Sequence, residues 1–390
     1  MPRVLVLCEF ASLNGGERSL LAAADGVRSH GFELLVAAPP TGPLADQLAE
    51  RRIPLVPLRL HDSSGNRLPP AACRNRIRDA IAGCRTSLVH ANSLAMSRLS
   101  GPVVRRMGLP GIGHLRDIIR LTPAAIADLN CHTRLLAVSH ATRDWYIATG
   151  LNARKTHVLY NGVDLQRFQP RPATGRLHRE LGLPAGAPIV GAIGQIGMRK
   201  GLHVLIDAAR CIVQAVPGVH FVAVGKRYSK KQEAVEYEAA LVRRTSAPPL
   251  KGRFHWLGVR EDVPALLNEF TVLAHAARQE PLGRVLLEAA AAAVPIAATD
   301  VGGTREIFPE DLGAARLVPP NDPAALSQVI VELLRDPGLR ARLGSCARRR
   351  AEQMFSVRRA AVLLAEHYRQ GLDAGVISSA QRRIRPAGGG

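Results

Sequence analysis

The residues best equipped for chemistry stand in four glycine-marked segments. In Gly191-Ala192-Ile193-Gly194-Gln195-Ile196-Gly197-Met198-Arg199-Lys200-Gly201, two adjacent cations sit where a strand gives way to a helix. A guanidinium and an ammonium beside free backbone N–H groups can neutralise a diphosphate. A solvated basic loop is the plainer alternative, yet a place at the carboxyl edge of a strand favours a ligand. In Glu280-Pro281-Leu282-Gly283-Arg284-Val285-Leu286-Leu287-Glu288, two carboxylates enclose seven residues. Wholly helical, that spacing would cover ~12 Å, whereas the acid and nucleophile of a retaining glycosidase stand ~5 Å apart. The pair is therefore expected to grip separate parts of an extended ligand. Gly283 and the N–H groups of Arg284 and Val285 would cradle a phosphate between them. A salt-bridged surface helix is the alternative, weakened by the apolar run through Val285, Leu286, Leu287 and Ala289 to Ala293.

Two further glycine pairs follow strands: Gly15-Gly16 within Asn14-Gly15-Gly16-Glu17-Arg18, and Gly302-Gly303 within Val301-Gly302-Gly303-Thr304-Arg305-Glu306. Paired glycines let backbone approach a bound group, although many such turns only connect a strand tightly to a helix. Neither is the three-glycine dinucleotide fingerprint with its downstream acid. His114, in Gly113-His114-Leu115-Arg116-Asp117, would point from the end of a strand into the same gap. A purely structural histidine is the equal alternative.

The elements that must hold these residues read as repeated βαβ units, short β-branched runs alternating with amphipathic stretches. Strands are predicted from Val4 to Leu7, Glu33 to Ala38, Ser87 to His90, Arg134 to Val138 and Thr156 to Leu159, with a helix from Glu17. The run Gln169-Pro170-Arg171-Pro172 interrupts the pattern and marks the expected boundary. Beyond it strands are predicted at Ile189 to Ile193, His220 to Val224, Arg253 to Leu257, Thr271 to His275 and Ile296 to Thr299, with a helix from Gly201 to Ala215. Two Rossmann-like domains follow, residues 1–170 and 171–356. A helix over about 357–375 returns to the first as a strap, and 376–390 forms a disordered tail.

Bulk properties agree with an α/β class. A chain of 390 residues, 47% hydrophobic but only 4% aromatic, exceeds one usual core and must fill its cores with Ala, Leu and Val. The formal charge of +20 is spread along both halves and is mostly arginine, with no recognition motif beside it, so no nucleic acid is expected as partner. The six cysteines make no CxxC pair or His-interleaved cluster, and read as buried thiols in a reducing compartment rather than metal ligands. The chain opens directly on a strand-like run and holds no apolar stretch near the ~20 residues of a membrane span. The expected address is cytoplasmic. Arg74 to Arg85, with Ile77, Ala80, Ile81 and Cys84 at helical spacing, offers one peripheral contact with an anionic membrane at its inner face; an ordinary connecting helix is the favoured alternative.

Taken in order, Gly15-Gly16-Glu17-Arg18, His114 with Asp117, Val138-Ser139, Asn161-Gly162-Val163-Asp164, Arg199-Lys200-Gly201, Glu280 through Glu288, and Gly302-Gly303 with Glu306 resemble the retaining family 4 glycosyltransferases. The resemblance implies the GT-B fold, two Rossmann-like domains facing a central cleft, and a nucleotide diphosphate sugar, UDP- or GDP-linked, as donor. Lys200 and Arg199 would bind the diphosphate, Glu288 the ribose hydroxyls, and Glu280 the transferred sugar. His114 would face that sugar, and Gly15-Gly16 would close over the phosphates. It further implies retention of anomeric configuration, no cofactor and no metal, a glycan, lipid-linked or small-molecule hydroxyl acceptor, and a place in polysaccharide, glycolipid or other glycan biosynthesis. Two departures stand out. Gln195 replaces a usual arginine, and Ala293 replaces a usual glycine at a helix end that wants positive φ. A nucleotide-sugar epimerase and a non-catalytic nucleotide-binding protein are the competing readings; the basic pair and carboxylate spacing favour transfer.

Overall fold

The computed structural model describes residues 1–384, side chains included as far as residue 374. Its compact units are Met1–Gly162 together with the chain from Val357 onward, and Val163–Ser356. The first unit thus ends at Gly162, ahead of the boundary expected at 170, because the segment through Gln169 to Pro172 belongs to the second unit. There Asn268 accepts from the Arg171 N–H at 2.8 Å and donates to the Gln169 carbonyl at 3.3 Å.

Among the described residues, the first unit holds one seven-stranded sheet of order β3-β2-β1-β4-β5-β6-β7. The strands are β1 Arg3–Leu7, β2 Glu33–Ala38, β3 Leu55–Pro57, β4 Leu88–Ala91, β5 Gly111–Leu115, β6 Arg134–Ala137 and β7 Thr156–Val158. The second holds a six-stranded sheet, order β10-β9-β8-β11-β12-β13, made of β8 Ile189–Ile193, β9 His220–Val224, β10 Phe254–Trp256, β11 Val272–His275, β12 Ile296–Thr299 and β13 Arg316–Val318. Every pairing is parallel. Val4 to Leu7 and Val272 to Leu273 are fully buried, as strands covered by helices on both faces must be. In each sheet the strand order reverses beside the first strand, between β1 and β4 and between β8 and β11. A crevice opens at the carboxyl ends of such a pair.

The last helix, Val357–Ile384, belongs to the first unit and is described beyond the expected end near 375; residues 385–390 lie outside the described residues. It packs against the helix Gly15–Ser29 so closely that a Cβ on Gly26 would stand 2.6 Å from the Ala361 methyl. Tyr368 is fully buried and meets Phe32 edge-on at 5.3 Å.

One expectation needs correction. Cys8, Cys73 and Cys84 are buried, but Cys131 and Cys346 are partly exposed and Cys211 is exposed, because the last three sit at or near the outer faces of helices. The segment expected to offer a membrane face is the helix Pro70–Ala82, and Ile77 and Ile81 are spent in the core beneath it. Arg74 is paired with Asp128 at 2.6 Å and Arg78 with Asp79 at 2.9 Å, which agrees with the favoured reading of an ordinary connecting helix. Among the described residues no helix is long and apolar enough to cross a membrane.

Candidate active site

The second unit brings its predicted residues together at the β8–β11 reversal. The loop leaving β8 runs through Gly194 and Gln195 into a short 3-10 turn, Met198–Lys200, and then the helix Leu202–Ala215. Gly201 joins turn and helix with φ +63°, and a Cβ there would lie 1.8 Å from the Ala276 carbonyl oxygen, so only glycine lets this loop press against the segment leaving β11. The Arg278 N–H donates to the Arg199 carbonyl at 2.8 Å and completes the junction. Gly302, the next glycine-marked strand end, has φ +53° and would place a Cβ 1.9 Å from the Glu280 carbonyl, to which the Gly303 N–H donates at 3.0 Å. Glycines from two loops therefore fix where Lys200 and Glu280 meet.

They meet directly. The Lys200 ammonium donates to Glu280 Oε2, and His275 Nε2, at the end of β11, stands 3.0 Å from the same oxygen. Glu280 is 5% exposed and His275 likewise 5%. Burial alone would push the Glu280 carboxyl up; the adjacent Lys200 charge and the His275 hydrogen bond outweigh it and hold the group well below the usual carboxylate range. Burial pushes His275 down and, with Lys200 and Arg199 adding to it, outweighs the opposing pull of Glu280. The result is a neutral imidazole donating to a buried carboxylate that is also paired with an ammonium. His275 went unremarked in the sequence because a lone histidine ending a strand looks like any core residue; its only signal is its place five residues before Glu280.

Gly194, Gln195, Lys200, Ala223, Gly225 and His275 line a depression of about 30 Å³, room for roughly one or two waters. Arg199 stands exposed beside it, its guanidinium 3.5 Å from the Gln279 carbonyl.

The helix that carries the other carboxylate runs over Arg284–Ala291 behind Gly283, whose φ of +99° makes it the turn residue before the helix. Glu280 thus sits on the loop and Glu288 inside the helix, as the spacing implied. Arg284 Nε and Nη2 both donate to Glu288 Oε1 at 2.9 Å. The salt bridge of the plainer reading is therefore real, but the helix is no surface element: Val285 to Ala291 are all buried, Glu288 among them. Ala293, just beyond it, adopts φ +54°, the left-handed conformation for which a glycine was wanted.

In the first unit Gly15 and Gly16 are the opening residues of the helix rather than a loop before it, since Asn14 caps the helix and its N–H donates to Glu17 Oε2 at 3.1 Å. A Cβ on Gly16 would approach the Arg116 and Asn92 side chains at 3.3 and 3.5 Å. Arg116 donates to the Asn92 side-chain oxygen at 2.9 Å and to the Asn161 side-chain oxygen at 2.7 Å, and lies 3.2 Å from His114 Nδ1. His114 is 3% exposed, and burial, then Arg116, press its protonation far below the ordinary range. Sequence reasoning named Arg116 only as a neighbour of His114; no local pattern reveals that it ties two asparagines and a histidine together. Asp117 is exposed.

Two all-parallel Rossmann-type sheets, each with its own reversal, and a last helix packed on the first unit define a GT-B chain. It belongs to the family 4 glycosyltransferases: residues 13–167 match the family model Glycosyltransferase Family 4, and residues 174–350 match Glycosyl transferases group 1. Among relatives, spore coat protein SA of Bacillus subtilis (strain 168) is 31% identical over 221 residues, 55% of this chain and 58% of that protein. The GDP-mannose-dependent alpha-mannosyltransferase of Mycobacterium tuberculosis (strain CDC 1551 / Oshkosh) is 29% identical over 328 residues, 78% of this chain and 81% of that protein. The chain thus spans little more than half the length of the first and about four-fifths of the second. Among solved structures, Anabaena HepE in complex with UDP superposes with a TM-score of 0.80 at 25% identity, covering 95% of this chain and all of that one.

Proposed function

We propose that this protein transfers a sugar from a nucleotide diphosphate sugar to a hydroxyl acceptor, retaining the anomeric configuration and using no bound metal. The observation that carries the reading is the Lys200–Glu280–His275 cluster at the β8–β11 reversal, a buried carboxylate kept ionised beside an ammonium that still has donors to spare. Lys200 has three N–H donors, and one directed at Glu280 leaves others for phosphate oxygens. With Arg199 it neutralises the diphosphate, and the N–H groups opening the Arg284–Ala291 helix add their dipoles. Charge builds on that diphosphate as the glycosidic bond breaks, so these groups favour the transition state over the ground state. Glu280 accepts from a hydroxyl of the sugar, and Glu288 accepts from the ribose once it shares itself with Arg284. In the first unit, His114 contacts the sugar and the Gly15–Gly16 backbone lies along the phosphates. The departing phosphate helps to deprotonate the acceptor on the same face.

The donor is UDP- or GDP-linked, a range supported by the relative named for GDP-mannose and the solved neighbour that holds UDP. The acceptor belongs to glycan or glycolipid assembly and is met in the cytoplasm. The test is direct: purified protein with UDP- and GDP-sugars should release nucleoside diphosphate slowly without acceptor, and Lys200→Ala should lose that release. Saturable nucleotide binding without turnover under any acceptor would leave only a binding protein, and a changed free nucleotide sugar would indicate an epimerase.

A further inference from the structure

The first unit contains a buried chain of polar rings of which the function proposed above uses only the last, His114. Tyr368 Oη, on the last helix, stands 2.8 Å from His90 Nδ1 on β4. His90 Nε2 stands 3.3 Å from His114 Nδ1 on β5, the two imidazoles stacked at 5.5 Å. Arg116 Nη2 reaches the same Nδ1 at 3.2 Å. All three ring residues are at most 3% exposed, so no water competes for these contacts. His114 Nε2 is buried and has no hydrogen-bond partner among the described residues.

The direction of every bond follows from one fact. A guanidinium only donates, so His114 Nδ1 must present its lone pair and the ring proton must reside on Nε2. His90 Nε2 then also donates to that nitrogen, which leaves His90 Nδ1 as an acceptor, and the Tyr368 hydroxyl must donate to it. Neutral rings are required throughout, and burial presses both histidines in that direction, His90 down to about 3. Reversed, the same three rings would leave a bare lone pair on His114 Nε2. Arg116 forbids the reversal and Tyr368 supports the allowed sense from the far end.

We propose that Arg116, His90 and Tyr368 are positioning residues that lock His114 as its neutral Nε2–H tautomer, so that His114 offers the sugar a hydrogen-bond donor and does not act as a base. The inference rests on the reading of His114 as a sugar contact, and it makes the last helix part of the active-site apparatus through Tyr368. A donor there recognises a sugar oxygen, either a hydroxyl or the ring oxygen, and holds it without removing a proton.

The test combines a spectrum with kinetics. In full-length protein labelled with ¹⁵N-histidine, the His114 signal, assigned by its loss in His114→Gln, should show a protonated Nε2 and a bare Nδ1 throughout pH 6 to 8. In the double variant Arg116→Met, Tyr368→Phe, which keeps the packed rings, that signal should become a tautomer mixture. kcat should then fall roughly tenfold, the worth of about one hydrogen bond, with nucleotide affinity unchanged. His114→Gln, whose amide can still donate, should retain more activity than His114→Leu. A protonated Nδ1 in the wild-type protein, or an unchanged tautomer in the double variant, overturns the proposal. Wild-type turnover in His114→Leu would instead overturn the sugar-contact reading and leave the tautomer result standing, so the two failures are separable.

Discussion

Glu280 depends on Lys200 as much as any ligand does. Removing the ammonium leaves a nearly buried carboxylate with only a neutral imidazole beside it, and breaking a buried pair costs on the order of 3 kcal/mol. The sign follows from the direction of the shift. In the wild-type protein the Glu280 carboxyl is held low, so its stabilisation is present above the ordinary carboxylate pKa and is lost only as pH falls through the depressed value. In Lys200→Ala burial prevails and the carboxyl rises, so ionising it at neutral pH works against folding. Thermal unfolding should show the gap between wild type and Lys200→Ala widest near pH 7 and closing towards pH 4. A constant gap would mean that Glu280 is not the group responsible. At the same scale, Glu288→Ala should weaken nucleotide binding by roughly tenfold, the loss of one charge-assisted pair to a ribose, measured by titration calorimetry. What the sequence disclosed here was residue type. Arg199 and Lys200 were legible because charge stood next to glycine after a strand, and Glu280 and Glu288 because two carboxylates bracket Gly283 at a helix start. The meeting of Lys200 with Glu280, eighty positions apart, and the arrival of His275 and Arg116 in their clusters depend on which strands become neighbours, and nothing local encodes that.

Among the elements, two backbone sites carry opposite expectations. Ala293 pays for a left-handed conformation between the Arg284–Ala291 helix and β12. Ala293→Gly should therefore raise stability by about 1 kcal/mol in denaturant unfolding, relief of strain exceeding the entropy gained by the unfolded chain; a loss of stability would show that the neighbouring Gly344, which packs on the Ala293 carbonyl, needs the methyl to hold its register. Gly302→Ala should do the reverse. Its Cβ cannot coexist with the Glu280 carbonyl, so the loop must move, carrying Glu280 off Lys200, and nucleotide affinity should drop more than global stability does. Strands β8, β9 and β12 coincide with the runs read from the sequence, as does the helix ending at Ala215, because buried parallel strands are continuous apolar runs with sharp ends. The three-residue strands β3 and β13 escaped notice: each lies at a sheet edge, is only partly buried, and has too few residues to show a period. The first helix begins at Gly15, two residues before Glu17, because the Asn14 cap with Glu17 outweighs the turn preference of the two glycines.

For the molecule as a whole, the order of βαβ units was readable and the division between units nearly so, the boundary slipping from 170 to 162 because a Pro-rich stretch marks a break in pattern, not a break in contacts. A site assembled from fixed backbone should be stabilised by its ligand. UDP or GDP at a hundred times its Kd should add about 2.7 kcal/mol to the wild-type protein, little to Lys200→Ala, and the same amount with or without chelator. The most direct test of the central claim is turnover itself, with nucleoside diphosphate release followed from a panel of UDP- and GDP-sugars in excess EDTA. Release is expected with at least one donor, undiminished by EDTA and lost in Lys200→Ala. Activity that EDTA abolishes and manganese restores, or that survives the loss of Lys200, would contradict it.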